Sequence, residues 1–552
     1  MMKEFRLMAS FSGNSHVMHI IKSLFISATA SLFFCFSIHA SERPNIVYIL
    51  CDDLGYGDVK CLNAQGKIST PHMDRIATEG MIFTDAHGSS AVCTPTRYGI
   101  MTGRYNWRTR LQSGVLGGLS PRLIEEGRLT VAAMLKAQGY HTSCVGKWHL
   151  GMNWVKLPGK EVTELNIEKP DQNRNVDYAQ PVTNGPNSVG FDYYFGISGS
   201  LDMVPYTFIE NDRVTVLPSE NNKFAMMTGR DKAFTREGPA APGFEAENVL
   251  PTLTKKVVEI IGERAAAAKA GKPFFIYMPL NSPHTPIAPT REWLGKSGLN
   301  PYADFVMETD SCVGEVLAAL DKNGLSKSTL LIFTSDNGCS PQANFDELKA
   351  KGHNPSYVFR GMKADIYDGG HHIPFLVRWP GRVKPGTRSD KIICLNDLMR
   401  TAAEITGTTL PDNAAEDSVS ILPALLGQNK TLHDGIVFHS INGSFSIRQG
   451  NWKLELCPGS GGWSAPLPSQ DTTKLPLIQL YDLSADIGET NNVQAGHADV
   501  VERLTKLLEK YVADGRSTPG AVQPNTVTPD IWKAGMTAHQ PKKNKAKLKP
   551  AE

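Results

Sequence analysis

Few features of this sequence favour the simpler classes of protein. Its nine cysteines are too few for a disulfide scaffold. None falls into a CxxC or Cys/His zinc spacing. Charge of either sign is not in excess: Lys plus Arg is 57 and Asp plus Glu is 55, a net charge of +2, so no global field points to a nucleic-acid partner. There is no internal repeat. The one long apolar run lies near the N-terminus, and no second one follows to suggest a stable membrane span.

What is present is the composition of a globular protein. The chain has 552 residues, enough for more than one hydrophobic unit, with 41% hydrophobic and 20% charged residues. Gly 49 and Pro 35 suit a loop-rich enzyme. Residues 18–40 place Lys22 ahead of the apolar run 24–36 and end in Ile38-His39-Ala40. This pattern predicts a signal peptide over 1–40 and an exported, periplasmic or secreted protein. Cys35 raises a lipoprotein alternative, but the two preceding Phe are bulkier than a lipobox favours.

Short apolar, β-branched runs at 44–50, 272–280, 328–334 and 374–378 read as buried strands. Helical patterns at 129–139, 250–269 and 302–323 lie between them. The alternation predicts an α/β fold with a large, mostly parallel sheet covered by helices over 41–430. Pro/Gly/Asn-rich stretches at 157–190 and 211–245 read as long surface loops. Alternating strands at 443–456 and 477–483, then a helical run at 500–512, predict a smaller C-terminal antiparallel α+β domain over 431–530. A basic tail over 531–552, with lysines at 542, 543, 545, 547 and 549, reads as solvated and disordered.

Chemistry gathers at the strand ends. The first strand runs into Asp52 and Asp53, and the strand 328–334 runs into Asp336 and Asn337. In open α/β sheets ligands bind beyond the carboxyl ends of strands. If the two strands are parallel neighbours, three carboxylates and an amide converge and call for a cation. All-oxygen ligation suits Ca²⁺, or less well Mg²⁺, rather than zinc. Cys93 precedes Thr94, a helix-capping type, and Pro95, a first-turn residue. A cysteine at such an electropositive helix start is either a thiolate nucleophile or a buried structural residue. Arg97 falls in the same first turn.

Cys93-Thr94-Pro95-Thr96-Arg97 followed by Met101-Thr102-Gly103-Arg104 resembles the C-x-P-x-R and second-half signature of the type I sulfatases, in the alkaline-phosphatase-like superfamily. Gly146-Lys147-Trp148-His149-Leu150-Gly151, Asn281-Ser282-Pro283-His284 and Gly361-Met362-Lys363 resemble further elements of that family, in order. The resemblance implies hydrolysis of sulfate esters. It implies that Cys93 is oxidised by a maturation enzyme to Cα-formylglycine, whose hydrate attacks sulfur. It implies a metal shell of Asp52, Asp53, Asp336, Asn337 and residue 93, with Ca²⁺ usual. Arg97 would orient the hydrate, Lys147 and Lys363 would clamp the sulfate, His284 with Lys363 would protonate the leaving alcohol, and His149 would take a proton from the hydrate.

An extended 147–149 segment would point Lys147 and His149 to one face. His372 stands where the family commonly has Arg, and no His occurs from 150 to 283, where many members have one. The segment 196–202 falls in that gap. Export and long loops favour a sulfated polysaccharide or its oligosaccharides as substrate, with Asp202, His353, Asn354, Arg108 and Arg110 as candidate sugar contacts. A phosphoester or phosphonate monoester hydrolase on the same scaffold, and an inactive sulfated-sugar-binding homologue, are the alternatives.

Overall fold

The computed structural model describes residues 43–468, 472 and 474–532. The signal-peptide segment and residues 533–552 of the basic tail lie outside the described residues. The described residues form one compact unit.

Its centre is a ten-stranded sheet. The strand Asn45–Asp52 lies in the middle, paired in parallel with Phe274–Pro283 on one side and Thr329–Ser335 on the other. Every residue of these three strands is buried, so their unbroken apolar runs are those of a sheet covered on both faces. His141–Lys147 and Tyr193–Ile197 continue the parallel order beyond Phe274–Pro283. Phe375–Arg378 and Met81–Phe83 extend the other side with antiparallel pairings. The helix Val249–Lys269 buries Leu250, Leu253, Val257, Ile260 and Ile261 at three- and four-residue spacing against this sheet. The helix Pro301–Lys322 opens on Asn300, whose side chain accepts Ala303 N–H at 3.1 Å, followed by Pro at the first turn.

Ile436–His439, Phe445–Gln449, Trp452–Glu455 and Gln479–Asp482 form a separate antiparallel sheet, on which the helix Ala498–Ala513 lays Val500, Leu504, Leu508 and Tyr511. Tyr105 and Trp107 of the larger layer share that core. The large α/β sheet and the small antiparallel α+β layer are the architecture the hydrophobic patterning predicts. The stretch 211–245 differs from its reading as plain loop. It folds into short paired strands, among them Ala225–Met227 with Arg230–Phe234 and Glu220–Asn222 with Gly238–Ala240. Pairs this short carry no apolar alternation to read. The eight described cysteines are all free, and all but Cys61 are buried.

Candidate active site

Because Asn45–Asp52 and Thr329–Ser335 are in register, with Cys51 opposite Ser335, the residues that follow them emerge side by side. Asp53 N–H donates to Asp336 Oδ1 at 3.3 Å, and Asn337 Nδ2 donates to Asp53 Oδ1 at 2.7 Å. Asp53 adopts φ 67, a left-handed conformation unusual outside glycine, that turns the chain sharply at the strand end. The side chains of Asp52, Asp53, Asp336 and Asn337 are essentially inaccessible to solvent.

The helix Cys93–Thr102 points its N-terminus at this cluster and is buried along its whole length. It begins at Cys93 itself, with Val92 at the cap position, two residues earlier than the sequence suggests. Thr94 therefore does not cap; its hydroxyl accepts Leu116 N–H at 3.3 Å. The helix stops at Gly103, φ 64, where an added Cβ would sit 2.9 Å from the Ala415 backbone. Arg97 donates from Nε and Nη2 to Asp336 Oδ2 at 3.0 and 2.8 Å, and from Nη1 to the Lys147 carbonyl at 2.9 Å. Its Nη2 is also 3.7 Å from Asp52 Oδ1.

Lys147, at the end of its strand, contacts Asp52 Oδ2 at 2.5 Å and Ser200 Oγ at 3.1 Å. Lys363 lies 2.7 Å from Asp53 Oδ1 and 2.8 Å from Oδ2. His284 donates Nδ1–H to the Thr285 carbonyl at 2.7 Å, which leaves Nε2 facing Asp53 Oδ2 at 3.6 Å and Ser200 Oγ at 3.4 Å. His149 is not extended from Lys147: the strand ends there and His149 takes φ 53. Its Nε2–H donates to the Leu116 carbonyl at 2.8 Å, so Nδ1 holds a free lone pair with no hydrogen-bond partner among the described residues.

Burial and charge set the protonation states. Burial pushes the Cys93 thiol above its ordinary value despite the opposing pull of Lys147 and Lys363, so it is a poor thiolate. Burial opposes ionisation of Asp52, but Lys147 foremost, with His284 and Arg97, holds it well below the usual carboxylate range. Asp336 is raised, by burial and then by the adjacent Asp52 charge. Burial works to discharge Lys363, yet the Asp53, Cys93 and Asp52 groups hold it above its ordinary value, and it stays an ammonium. Burial and then Lys147 press His149 well below 6.5, so it is neutral.

This donor set fits a hard divalent cation. Three carboxylates meet within one buried volume, and Asp52 Oδ1 and Asn337 Oδ1 are buried oxygens without a hydrogen-bond partner. Donor atoms of Asp52, Asp53 and His284 also lie within 4.8 Å of one another.

Several candidate sugar contacts sit elsewhere. His353 is 1% exposed and both its ring nitrogens are engaged: Lys67 N–H donates to Nδ1 at 3.2 Å and Nε2–H donates to Asp58 Oδ1 at 2.8 Å. It braces a turn and offers the substrate nothing. Asn354 is spent on that turn, Nδ2 donating to the Tyr357 carbonyl. Arg108 is buried in a two-pronged pair with Asp417, both contacts 2.8 Å, and Arg110 donates to the Arg122 carbonyl at 2.8 Å. His372 stacks on Phe359, ring centroids 3.9 Å apart, and donates to the Thr84 carbonyl; it is a packing residue. Asp202 is held by Arg236 at 3.5 Å. In the gap that lacks a histidine, Ser200 reaches both Lys147 and His284, the latter at 3.2 Å. Ser200 lies within the segment 196–202, where a single loop serine carries no signal in the sequence.

Comparison with known proteins shows the family. The sequence profile of the Sulfatase family matches residues 44–408. The chain is 34% identical over 505 residues to an N-acetylgalactosamine-6-O-sulfatase of Bacteroides thetaiotaomicron, spanning 85% of this chain and 93% of that protein. It is 30% identical to human arylsulfatase A, over 85% and 87% of the two chains. A solved sulfatase from work on glycosaminoglycan metabolism in Bacteroides thetaiotaomicron superposes with a TM-score of 0.71 at 33% identity, covering 85% of this chain and 99% of that one. At 19% identity and a TM-score of 0.53, a phosphonate monoester hydrolase of Agrobacterium radiobacter shares the fold. With the family profile covering well over half of the chain and relatives of 30% identity or more aligned along most of it, the chain belongs to the sulfatase family and is a sulfuric ester hydrolase.

Proposed function

We propose that this enzyme removes sulfate from sulfated carbohydrates, using Cys93 as formylglycine and a Ca²⁺ held by Asp52, Asp53, Asp336 and Asn337. The observation that carries the reading is the convergence of Asp52, Asp53, Asp336 and Asn337 with Lys147 and Lys363, joined through Arg97 to the helix that begins at Cys93. A thiol that burial keeps protonated is a weak nucleophile, so the site needs its chemistry supplied another way. A formylglycine hydrate at residue 93 would supply the attacking oxygen, and the cation would neutralise charge on the sulfate.

The chain's own groups do the rest. Lys147 and Lys363 present ammonium groups in a dry site, where their attraction for the sulfate oxygens is strong. Arg97, fixed by Asp336 and the Lys147 carbonyl, holds the helix start in place. His284 keeps Nδ1–H on the Thr285 carbonyl, so its Nε2 is the atom that delivers a proton to the departing alcohol. His149 is neutral with Nδ1 open, the state a base needs to take a proton.

An N-acetylgalactosamine 6-sulfate unit is the first sugar to test, since a relative at 34% identity bears that name. Export through residues 18–40 and conversion of Cys93 by a formylglycine-generating enzyme belong to the same reading. Turnover of aryl sulfate, aryl phosphate and a panel of sulfated mono- and disaccharides tests it. Sulfate release from the sugars, with aryl phosphate left nearly untouched, is the expected outcome. Faster turnover of the phosphate, or of no sugar at all, contradicts it.

A further inference from the structure

The loop that follows Trp452–Glu455 leaves the small sheet and returns to the catalytic residues. At Gly462 an added Cβ would lie 2.4 Å from the Ala364 carbonyl oxygen, so the loop runs directly against the segment carrying Lys363. Asp365 fastens the two together. Its Oδ1 accepts Trp463 N–H at 2.7 Å and Ser464 N–H at 3.0 Å, and its Oδ2 accepts the Ser464 hydroxyl at 2.5 Å and Met362 N–H at 2.9 Å. The backbone of Trp463 is therefore fixed, yet the residue is 40% exposed, more than any other tryptophan among the described residues. The ring centroid stands 6.0 Å from Lys363 Nζ.

A large aromatic ring held open to water forgoes the stabilisation that burial would give it, and such a ring beside a reaction centre has a use for its face. We infer that Trp463 is the platform on which the sugar carrying the scissile sulfate lies, the apolar C–H face of a pyranose against the indole. The inference rests on the carbohydrate reading above and extends it to a specificity-determining residue supplied by the small C-terminal sheet. The sulfate is held at Lys363, and the ring centroid is within one sugar unit of that ammonium. An electron-rich aromatic face favours polarised C–H groups, and its flatness selects a ring over a flexible alkyl chain. Because Asp365 grips the backbone and not the indole, changing the side chain leaves the loop's hydrogen bonds in place.

Steady-state kinetics on N-acetylgalactosamine 6-sulfate, galactose 6-sulfate and N-acetylglucosamine 6-sulfate, with melting temperature as a fold control, tests this. On the best of these sugars, Trp463→Ala should raise KM about tenfold while kcat changes by less than about twofold, and Trp463→Phe should recover most of the loss. An unchanged KM in Trp463→Ala overturns the platform and leaves the carbohydrate reading standing. A fall in kcat that Trp463→Phe does not rescue, or an equal drop in melting temperature in both variants, also overturns it, since either marks a structural role. If the unaltered enzyme cleaves aryl sulfate but none of the sugars, the carbohydrate reading and the platform fall together.

Discussion

The hydroxyl of Tyr302 lies 2.5 Å from Asp58 Oδ2 and 3.3 Å from the Asp53 carbonyl oxygen, so a buried phenol on the helix Pro301–Lys322 props the left-handed turn that aims Asp53 at the site. Asp58 also accepts Gly55 N–H at 2.8 Å and the Nε2–H of His353. Partners of this kind orient metal-binding carboxylates. Tyr302→Phe removes one oxygen and should weaken Ca²⁺ binding by about tenfold or more. Titration calorimetry reads this directly. The Ca²⁺-induced rise in melting temperature should shrink, while melting in EDTA barely moves. A lower melting point in EDTA with unchanged Ca²⁺ affinity would show the phenol to be structural only.

Arg97 is fully buried and pairs with Asp336 and Asp52. Removing it strands carboxylates in a dry environment. Arg97→Ala should lower stability by about 3–5 kcal/mol, measured by chemical denaturation in EDTA. A loss under about 1 kcal/mol would mean that water or a lysine replaces it.

His284 as the proton donor makes a prediction about leaving groups. His284→Asn should cut kcat on a sugar sulfate by about 10²–10⁴-fold. The loss should be much smaller on an aryl sulfate, whose phenolate departs without a proton. Equal losses on both substrates would assign His284 to positioning instead.

Between the two sheets, His87 lies 2.7 Å from Asp85 Oδ1 and 3.1 Å from His371 Nδ1. Burial, then the nearby His372, presses His87 down to about 4, and burial, then Lys453, presses His371 well below 6.5. In the unfolded chain both titrate near 6.5. Between about pH 6.5 and 4 the unfolded state therefore binds more protons at these two histidines, and their contribution to stability falls as pH falls. His87 alone accounts for roughly 3 kcal/mol across that window. From pH 7 to 4 the melting temperature of the unaltered protein should lose ground to that of His87→Asn. Parallel pH profiles for the two proteins would contradict this.

The strands and the carboxylates at their ends are legible in the sequence because both are local. A buried parallel strand is an unbroken apolar run, and Asp52, Asp53, Asp336 and Asn337 directly follow two of them. The residues that organise the site from a distance are not legible in this way. Tyr302 meets Asp53 across 249 residues, and the Trp463 loop meets Asp365 across 98. No period or spacing records such pairings. His353 and Arg108 mislead in the opposite sense. Polar side chains in a loop suggest solvent and substrate, but each has a buried carboxylate partner far along the chain that only folding brings near. His149 departs from its extended reading because the strand ends at Lys147 and a left-handed residue follows.

The most direct measurement is mass spectrometry of the peptide containing Cys93, from enzyme purified from its native host and assayed for sulfate release in the same preparation. An aldehyde at residue 93, in proportion to the activity, is the predicted result. A fully active preparation in which that residue is an unmodified thiol would contradict the account.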